Sequence, residues 1–476
     1  MKPTSHNFKA NAADALQNVV LQKALQNVKR GFIDKRKQAL DQLPEFEELR
    51  TQAREIKEHS LAHLDTYLTQ FETQVKKQGG EVHWARNPEE ARDIIADICK
   101  RENARSVTKG KSMVSEEVAL NEFLIDAGLE VIETDLGEYI IQLAQEPPSH
   151  IIAPAVHMNR EQIVDLFREH HQQYGFDSAL ETIPEIVDEA RKVLREKFIN
   201  ADVGITGANF LVAETGSTII VTNEGNGDLT ATLPKTHIVI SSIEKVVPTL
   251  EDTSVLLRLL ARSATGQAIT AYTTFFTGPK RAGDPDGPEN FHVVLVDNGR
   301  SEMLGGEFHD MLRCIRCGAC LNHCPIYSNI GGHAYGWVYP GPMGSVLTPL
   351  MTSLKEGEHL PQASTFCGRC EEVCPVSIPL PRLLRQHRNH EFQQKLVPAN
   401  SRLALKVWAF LARHPRIYRP VFNLASKLLS RLGGKSARLS RLPLASGWTR
   451  VRDLPAPQGE SFIALYRQQQ GKQPND

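Results

Sequence analysis

The densest chemistry in this chain lies in two cysteine-rich segments, CIRCGACLNHCP from Cys314 to Pro325 and STFCGRCEEVCP from Ser364 to Pro375. The first segment has the spacing Cys-x2-Cys-x2-Cys-x3-Cys-Pro, which is typical of bacterial ferredoxins. A cubane cluster needs thiolates that arrive from several directions, and three closely spaced cysteines with a distant fourth supply them. The two segments therefore predict two iron–sulfur clusters. Paired zinc sites are the alternative, although they usually combine two Cys-x2-Cys hooks and do not need this longer run.

The spacing also predicts which cysteines share a cluster. In two-cluster ferredoxins the first three cysteines of a run bind one cluster and the fourth binds the other. This rule assigns one cluster to Cys314, Cys317, Cys320 and Cys374, and the other to Cys324, Cys367 and Cys370. When the two segments are aligned on their Cys-Pro ends, Ser364 occupies the position of Cys314. We therefore expect two [4Fe–4S] clusters, the second with a non-cysteine ligand at or near Ser364 or an open position, or else a [3Fe–4S] cluster.

A basic loop, VTKGKSMVSEE, offers a second kind of chemistry. Arg105 occupies the position where a phosphate-binding P-loop requires glycine, so a Walker motif is excluded. Lys109, Lys111 and Ser112 still lie between a predicted strand and a predicted helix, where anions bind favourably. The carboxylate of lactate or pyruvate is one candidate ligand. The alternative is a solvated loop with a helix N-cap at Ser115.

The segment FLVAETGSTIIVTNEGN is the third candidate. It predicts two strands around a glycine turn, with Glu214 and Glu224 at the ends of adjacent strands. Paired carboxylates can act as acid and base, although surface turns carry such residues routinely. The loop from Phe276 to Asp284 is expected to be solvated. Three histidines have no partner at metal-ligand spacing and are expected to be structural: His157, His237 and His309.

The elements around these residues divide the 476-residue chain into four predicted regions. Residues 1–78 show helical periodicity, and residues 79–300 alternate strands with helices, which predicts an α/β sheet covered by helices. The predicted elements include a strand at HIIAPAV, before the helix NREQIVDLFREHH, and two strands in VGITGANFLVAETGSTIIVTNEGN. Residues 301–390 carry the cysteines, with a spacer long enough for helices. Residues 391–476 form a helical region that carries thirteen Lys/Arg and no Asp/Glu between Phe392 and Arg452. The chain shows no transmembrane run or signal peptide, so a cytoplasmic location is expected.

The basic helical region predicts an interaction surface. Leu403, Val407, Phe410 and Leu411 follow helical spacing, with basic residues opposite and helix breaks expected at His414-Pro415, Arg419-Pro420 and Gly433-Gly434. A docking helix for a protein partner is the first interpretation, and peripheral contact with the inner face of a membrane is the second. Nucleic acid is not expected, because the aromatic residues follow a buried helix face and do not resemble base-stacking platforms.

Together, the cysteine segments, the spacer YGWVYPGPMGSVLTPL and the segment ETGSTIIVTNEGN resemble the lactate-utilisation iron–sulfur protein B family. The resemblance covers nearly the whole chain. It implies an α/β LUD domain, similar in fold to sugar-phosphate isomerases and CoA transferases, beside a helical ferredoxin-type module. It also implies two [4Fe–4S] clusters on the seven cysteines. The implied partners are a cysteine-rich protein and a second LUD-domain protein, in a complex that oxidises L-lactate to pyruvate.

Three hypotheses of function follow. The first is an electron-transfer subunit that is inactive alone, with the hydride or proton chemistry in a partner, because the chain has no dinucleotide-binding fingerprint. The second is a stand-alone isomerase or transferase whose clusters act as sensors or scaffold. The third is the iron–sulfur subunit of another anaerobic dehydrogenase, one that oxidises glycerol-3-phosphate or glycolate.

Overall fold

The computed structural model describes residues 3–176, 180–442, 446–449 and 452–470. The chain folds into two compact units, residues 1–391 and 392–476, and each is described by itself. The first unit begins with helices, as predicted. They are α1 (Phe8–Gln17), α2 (Val19–Val28), a π-helix (Lys29–Asp34), α3 (Lys35–Asp41), α4 (Phe46–Ala62) and α5 (Leu64–Lys77).

A six-stranded parallel sheet forms the centre of this unit. Its strands lie in the spatial order β1, β10, β7, β4, β2, β3. They are β1 (Glu81–Ala85), β2 (Ser106–Gly110), β3 (Glu130–Glu133), β4 (Val203–Thr206), β7 (Thr236–Ser242) and β10 (Asn290–Val296). The inner strands are buried on both faces, which explains apolar runs such as HVVLV that do not alternate with polar residues.

Helices cover both faces of the sheet, which confirms the predicted α/β fold. The helices that lie between β1 and β10 in the chain are α6 (Pro88–Arg101), α7 (Met113–Glu117), α8 (Leu120–Asp126), α9 (Leu136–Leu143), α10 (Arg160–His171), α11 (Ile183–Ile199), α12 (Asn226–Thr232) and α13 (Leu250–Ala264). On one face Ile95 and Ile98 of α6 pack with Val294. On the other face Phe71 of α5 packs with Val293. Parallel strands need such crossovers, and the sequence alternation reflects them.

A second, four-stranded sheet lies beside the central one and differs from the strands predicted for this part of the chain. It comprises β5 (Phe210–Val212), β6 (Ser217–Thr222), β8 (Val246–Val247) and β9 (Tyr272–Phe276), in the order β8, β5, β6, β9. The strands β5 and β6 form the predicted hairpin, but VGIT before them belongs to the central sheet, and β9 was not predicted. The predicted strand HIIAPAV is wrong. Residues 149–159 form turns, because the ring of His150 accepts the backbone N–H groups of Ile152 and Ala153 and bonds Asn322 of the cysteine region.

The cysteine region consists of short helices that share one hydrophobic core with α4 and α13. They are α14 (Arg300–Met303), α15 (Ala319–Asn322), α16 (Tyr327–Ile330), α17 (Gly341–Met351), α18 (Arg369–Glu372) and α19 (Leu380–Gln393). The spacer between the cysteine segments is helical and buried, with Tyr335 and Tyr339 fully enclosed. The N-terminal helices pack on this region, where Ser5 Oγ donates to Tyr335 O at 2.9 Å and Gln22 Nε2 donates to Asn329 O at 2.7 Å.

The second unit contains α20 (Ala399–Arg413), α21 (Pro415–Gly433), a two-stranded sheet of β11 (Arg438–Leu439) and β12 (Leu454–Pro455), α22 (Ser446–Thr449) and α23 (Phe462–Gln470). The breaks at His414-Pro415 and Gly433-Gly434 are confirmed. The break at Arg419-Pro420 is wrong, because Pro420 lies inside α21. The four predicted domain boundaries stay predictions. Within the described residues, no helix has the length and apolarity needed to cross a membrane.

Candidate iron–sulfur site and the adjoining cavity

The two cysteine segments have the same backbone conformation. Arg316 and Phe366 adopt left-handed φ values of 58° and 54°, each immediately before the second ligand position of its segment. Gly318 and Gly368 follow with φ values of 73° and 82° and begin α15 and α18. Glycine suits this position because the left-handed region costs it little. The repeat places Ser364 where the first segment has a cysteine.

The thiols of Cys314, Cys317, Cys320 and Cys374 form what we call group one. Burial, followed by the charge of Cys374, raises the pKa of Cys317 to about 12. Burial also raises the pKa of Cys320 well above its usual value, and the charges of Cys314, Cys317 and Cys374 act in the same direction. Cys370 acts on Cys320 as well, so thiols of the two segments lie near one another, and the assignment of cysteines to clusters stays a prediction.

The thiols of Cys324, Cys367 and Cys370 form group two. Burial raises the pKa of Cys370 to about 12, and the charges of Cys324 and Cys367 add to this shift. Burial and then Cys367 raise the pKa of Cys324. A small cavity is lined by all three residues and by Ser364. Ser364 Oγ accepts the backbone N–H of Phe366 at 3.1 Å.

The donor set of both groups suits iron–sulfur clusters. All eight cysteines are free thiols. Burial raises the pKa of five of those in the two groups, namely Cys317, Cys320, Cys324, Cys370 and Cys374. A metal centre supplies the positive charge that makes such thiols bind as thiolates. Backbone N–H groups also reach the sulfurs: Ile378 N donates to Cys374 Sγ at 3.4 Å. Cys99 is apart from these groups and is buried in the α6 core.

Cations surround group one. Arg50 donates from Nε to Cys374 O at 2.7 Å, and Arg36 donates to Val373 O at 3.0 Å. Burial lowers the pKa of Lys57 to about 8, and the charges of Glu244 and Cys314 offset part of this effect. Burial also disfavours the charged form of Arg316, but the charges of Cys314, Tyr339 and Glu244 outweigh it and raise the pKa of Arg316 above its usual value. Group one therefore lies in an electropositive environment.

A buried ionic network joins this environment to the α/β domain. Arg300 binds both carboxylate oxygens of Glu117, at 2.8 and 2.7 Å, and pairs with Glu244 at 2.7 Å. The other oxygen of Glu244 lies 3.3 Å from Arg316 Nη2. Tyr339 Oη donates to Glu117 at 2.6 Å, and its ring lies below the Arg316 guanidinium, 4.8 Å away. The loop that carries the first cysteines is thus fixed to the central sheet by paired charges.

A cavity of about 550 Å³ lies beside this loop, at the carboxyl edge of the central sheet. Ligands in open α/β sheets bind at this edge. The charged lining residues follow β2, β3, β6 and β7 or come from α9 and the cysteine loop. They are Lys111, Asp135, Glu138, Glu224, Lys245 and Arg316.

The structure separates the four catalytic candidates. Lys111 and Glu224 line the cavity and pair with each other at 3.4 Å. Lys109 is fully buried and pairs with Glu116 and Glu133, each at 2.8 Å, so it is not free to bind an anion in the loop. Ser112, not Ser115, is the helix N-cap.

The predicted pair of Glu214 and Glu224 does not form. Glu214 follows β5 at the hairpin turn and accepts the N–H of Leu250 at 3.1 Å. Glu224 follows β6 at the other end of the hairpin, because the two strands are antiparallel. Six residues of strand span about 20 Å, too far for two carboxylates to act together.

The structural role expected of the histidines holds for His237, which is buried and bonds Thr206 Oγ1 at 2.8 Å. His309 lies 3.1 Å from Glu58. His157 is 2.8 Å from Glu146, and its ring centre lies 4.4 Å from that of His333, a proximity that sequence spacing did not indicate.

Sequence reasoning missed Glu138, Lys245 and Arg316. Arg316 had a signal, since it lies between two ligand cysteines. Glu138 and Lys245 follow strands shortly after their carboxyl ends, where the rule for open α/β sheets would have directed attention.

Comparisons with known proteins agree with this architecture. The sequence matches the LUD domain over residues 68–296, the 4Fe-4S dicluster domain over 310–378 and the lactate utilisation protein B C-terminal model over 385–471. These matches define an iron–sulfur protein with a LUD domain. A DUF162 family protein from Deinococcus radiodurans, 16% identical, covers 49% of this chain and 98% of its own with a TM-score of 0.26, a similarity too low to define the fold.

Relatives of nearly full length define the family. Lactate utilization protein B of Lysinibacillus sphaericus is 44% identical and covers 97% of both chains. The corresponding protein of a Geobacillus species is 44% identical and covers 99% of this chain and 98% of its own. The uncharacterized electron transport protein YkgF of Escherichia coli is 43% identical over 99% of both chains. The chain belongs to the lactate utilization protein B family.

Proposed function

We propose that this protein is the iron–sulfur electron-transfer subunit of a complex that oxidises L-lactate to pyruvate, and that it relays electrons one at a time through two clusters. The carrying observation is that cysteines of the two segments lie close enough for their charges to act on one another, as Cys374 does on Cys317 and Cys324 does on Cys370. Several relatives are named for lactate utilization, and another is named for electron transport. When bound, an iron–sulfur cluster supplies one-electron transfer, which suits a two-electron oxidation taken in two steps.

The chain's own residues have distinct roles in this proposal. The group-one cysteines hold one cluster, and the group-two cysteines with Ser364 or an open position hold the other. Arg36, Arg50 and Lys57 stabilise negative charge at group one. The shared core with α4 and α13 fixes the cysteine loops and excludes water from most of the thiols.

The proposed partners are a cysteine-rich protein and a second LUD-domain protein, which carry the bond-breaking chemistry. The second unit supplies a docking surface, because large apolar side chains of α20 are exposed, including Leu403, Val407 and Phe410. Contact with the inner face of a membrane is the alternative use of the same basic helices. Flotation with anionic liposomes, with and without residues 400–450, separates the two, since only lipid binding makes the intact chain float.

The test of function is reduction of the clusters by substrate. The chain is purified anaerobically, alone and with its two partners, and the visible absorbance is followed after L-lactate is added. We expect bleaching only when the partners and lactate are both present. Glycolate and glycerol-3-phosphate serve as matched substrates, and faster bleaching by either would assign the complex to another dehydrogenase reaction.

The second candidate, a stand-alone isomerase or transferase, is favoured by the cavity at the carboxyl edge of the sheet. It predicts turnover of a sugar phosphate or an acyl-CoA by the isolated chain. Such turnover, with no lactate-dependent bleaching in the presence of partners, would replace the electron-transfer proposal.

A further inference from the structure

Two cations lie near each other at one end of the cavity. Lys245 and Arg316 both line it, and each interacts with Glu244, which also pairs with Arg300. Burial, together with the charges of Arg316 and Arg300, lowers the pKa of Lys245 to about 8, against the attraction of Glu244. Two neighbouring cations that reach a cavity favour an anionic ligand.

Arg316 and Lys245 both have hydrogen-bond donors that remain available to a ligand in the cavity. The described contacts of Arg316 engage Nη2 with Glu244 and Nη1 with the thioether of Met343, at 3.6 Å. Arginine has five N–H donors, and a carboxylate matches its fork. The Lys245 ammonium donates to Ala208 O at 2.6 Å and has two further hydrogens.

The other wall of the cavity is acidic. Asp135 and Glu224 pair with Lys111. Burial raises the pKa of Glu138 well above its usual range, and Glu133 and Asp135 act in the same direction. Glu138 Oε2 accepts the backbone N–H of Lys111 at 3.1 Å, and its carboxyl group can also hydrogen-bond the oxygen of a ligand in the cavity.

Apolar side chains lie between the two polar walls, among them Met113, Val221 and Leu260. A small 2-hydroxy or 2-oxo acid has the same sequence of features: a carboxylate, an uncharged oxygen on the next carbon and a short apolar group. The cavity is several times larger than a three-carbon acid, so water or a segment of a partner shares it.

We propose that this cavity binds a small 2-hydroxy or 2-oxo acid with its carboxylate on Arg316 and Lys245, and that reduction of the group-one cluster weakens the binding. The redox part rests on the proposed function, because it needs a cluster on group one. Nothing in the binding part depends on electron transfer.

Arg316 is the link between the two events. It lies between Cys314 and Cys317 in the chain, and Cys314 is the largest of the charges that raise its pKa, although burial opposes them. Reduction adds one negative charge to the sulfur side of Arg316, which then attracts a carboxylate less strongly. By linkage, the bound acid lowers the reduction potential of the group-one cluster. Reduction would thus favour release of the oxidised product.

The test uses the intact protein with its clusters. Binding of L-lactate and of pyruvate is measured anaerobically by calorimetry, with the clusters oxidised and then reduced electrochemically. Acetate, which lacks the second oxygen, and inorganic phosphate are the comparison ligands. We expect lactate and pyruvate to bind the oxidised protein at least tenfold more tightly than acetate does, and the reduced protein about tenfold more weakly.

Variants locate the site. Lys245→Gln should weaken pyruvate binding at least tenfold, and Lys245→Arg should retain it. Lys192→Gln, in an exposed pair with Asp188, is the matched control and should change nothing. If Lys245→Gln does not fold, potentiometry on the unaltered protein decides: a tenfold preference for the oxidised state lowers the group-one potential by about 59 mV when pyruvate saturates.

The outcomes separate this inference from the proposed function. Absence of lactate and pyruvate binding, or equal binding by Lys245→Gln, overturns the inference even where the partners reduce the clusters normally. Phosphate binding without carboxylate binding also overturns it and supports the isomerase alternative. If the acids bind equally to the oxidised and the reduced protein, the proposed coupling between cluster reduction and acid binding is overturned, while the binding site itself stands. Acid binding with clusters that never accept electrons overturns the proposed function instead.

Discussion

Group one and group two share a backbone frame and differ in almost everything placed around it. In both segments the residue before the second ligand position has a left-handed φ, and the glycine after it has a left-handed φ and begins a short helix. Group one has a thiol in the first position, with Arg36, Arg50 and Lys57 beside the group, whereas group two has Ser364 there, with Arg388 on its carbonyl oxygen, and an exposed thiol at Cys367. The backbone geometry needed to present ligands is repeated, while the ligand count and the electrostatics are not.

The differences in ligand number and in neighbouring charges show how one repeated backbone segment can give two unlike redox centres. Positive charge near a cluster stabilises its reduced form, since reduction adds negative charge. A centre with three thiolates and an exposed edge loses iron more easily than one with four. We therefore expect the surrounding cations to set the reduction potential of the group-one cluster, and the missing thiol to make the group-two cluster lose iron more easily.

The largest effect should come from the crossover cysteines. Replacing Cys374 with alanine should remove the cluster of group one, although Cys374 belongs to the second segment. Replacing Cys324 with alanine should remove that of group two. Iron content and EPR signals of anaerobically purified protein measure both losses.

Cys99→Ala is the control, because that thiol packs in the α6 core far from either segment in sequence. It should leave iron content unchanged. If the losses follow segment order, so that Cys374→Ala removes the same signal as Cys370→Ala, the crossover assignment is wrong and each segment holds its own cluster.

The next effect concerns Ser364. The substitution Ser364→Cys restores a fourth thiol in the cavity that Cys324, Cys367 and Cys370 line. We expect it to raise the iron retained by group two on brief exposure to air, with no change in the signals of group one. EPR before and after oxygen exposure checks this.

Ser364→Ala is the matched variant. If it behaves as the unaltered protein does, the serine hydroxyl is no ligand, and the fourth position is open or filled by another group. If Ser364→Cys leaves air sensitivity unchanged, the missing thiol does not explain the difference between the groups.

Much of this comparison could be made from sequence, because ligand spacing is local. The Cys-x2-Cys-x2-Cys-x3-Cys-Pro run, the serine in the aligned slot and the strand–helix alternation all depend on residues within one segment. The hairpin around Gly216 was predicted for the same reason.

The surroundings could not be predicted, because they come from distant parts of the chain. Arg36, Arg50 and Lys57 belong to helices whose periodicity showed only an apolar face, and nothing local indicated that they reach the cysteine loops. The segment HIIAPAV failed as a strand because His150 meets Asn322, which is 172 residues away. Glu214 and Glu224 failed as a pair because strand direction is set by pairing, not by proximity in sequence.

A smaller effect tests the cations of group one. Replacing Lys57 with methionine removes a buried charge that interacts with Cys314 and leaves a side chain of similar length. A unit charge about 10 Å away contributes ~1–2 kcal/mol at an effective dielectric of 20. We expect the potential of the group-one cluster to fall by tens of millivolts, on the order of that energy, with no change at group two.

Potentiometric EPR titration at pH 7 measures both centres in one sample. Lys76→Met, at an exposed position on α5, is the matched control. If the reduction potentials of both clusters fall equally, or if Lys76→Met lowers them as much, Lys57 acts through the general stability of the protein. In that case the charge of Lys57 has no local effect on the group-one cluster.

The smallest expected effect is on the pH dependence of stability and comes from a carboxyl group near group two. Glu391 of α19 is 2% exposed and accepts a hydrogen bond from Gln362 at 2.9 Å, and Arg388 on the same helix donates to Ser364 O. Burial raises the pKa of Glu391 to about 7. The folded protein keeps this proton up to about pH 7, whereas the unfolded chain loses it near pH 4.5. The carboxyl therefore supports stability fully below pH 4.5, and that support is lost as pH rises through 7.

The substitution Glu391→Gln keeps the shape and removes the titration, so it should raise the unfolding midpoint at pH 8 by ~2–4 °C and change little at pH 4.5. Thermal unfolding of the cluster-loaded protein from pH 4.5 to 8 measures this, with Glu302→Gln, at an exposed position, as control. A gain that is the same at every pH would show that Glu391 stays charged. In that case both cysteine groups, and not group one alone, would lie beside fixed buried charges.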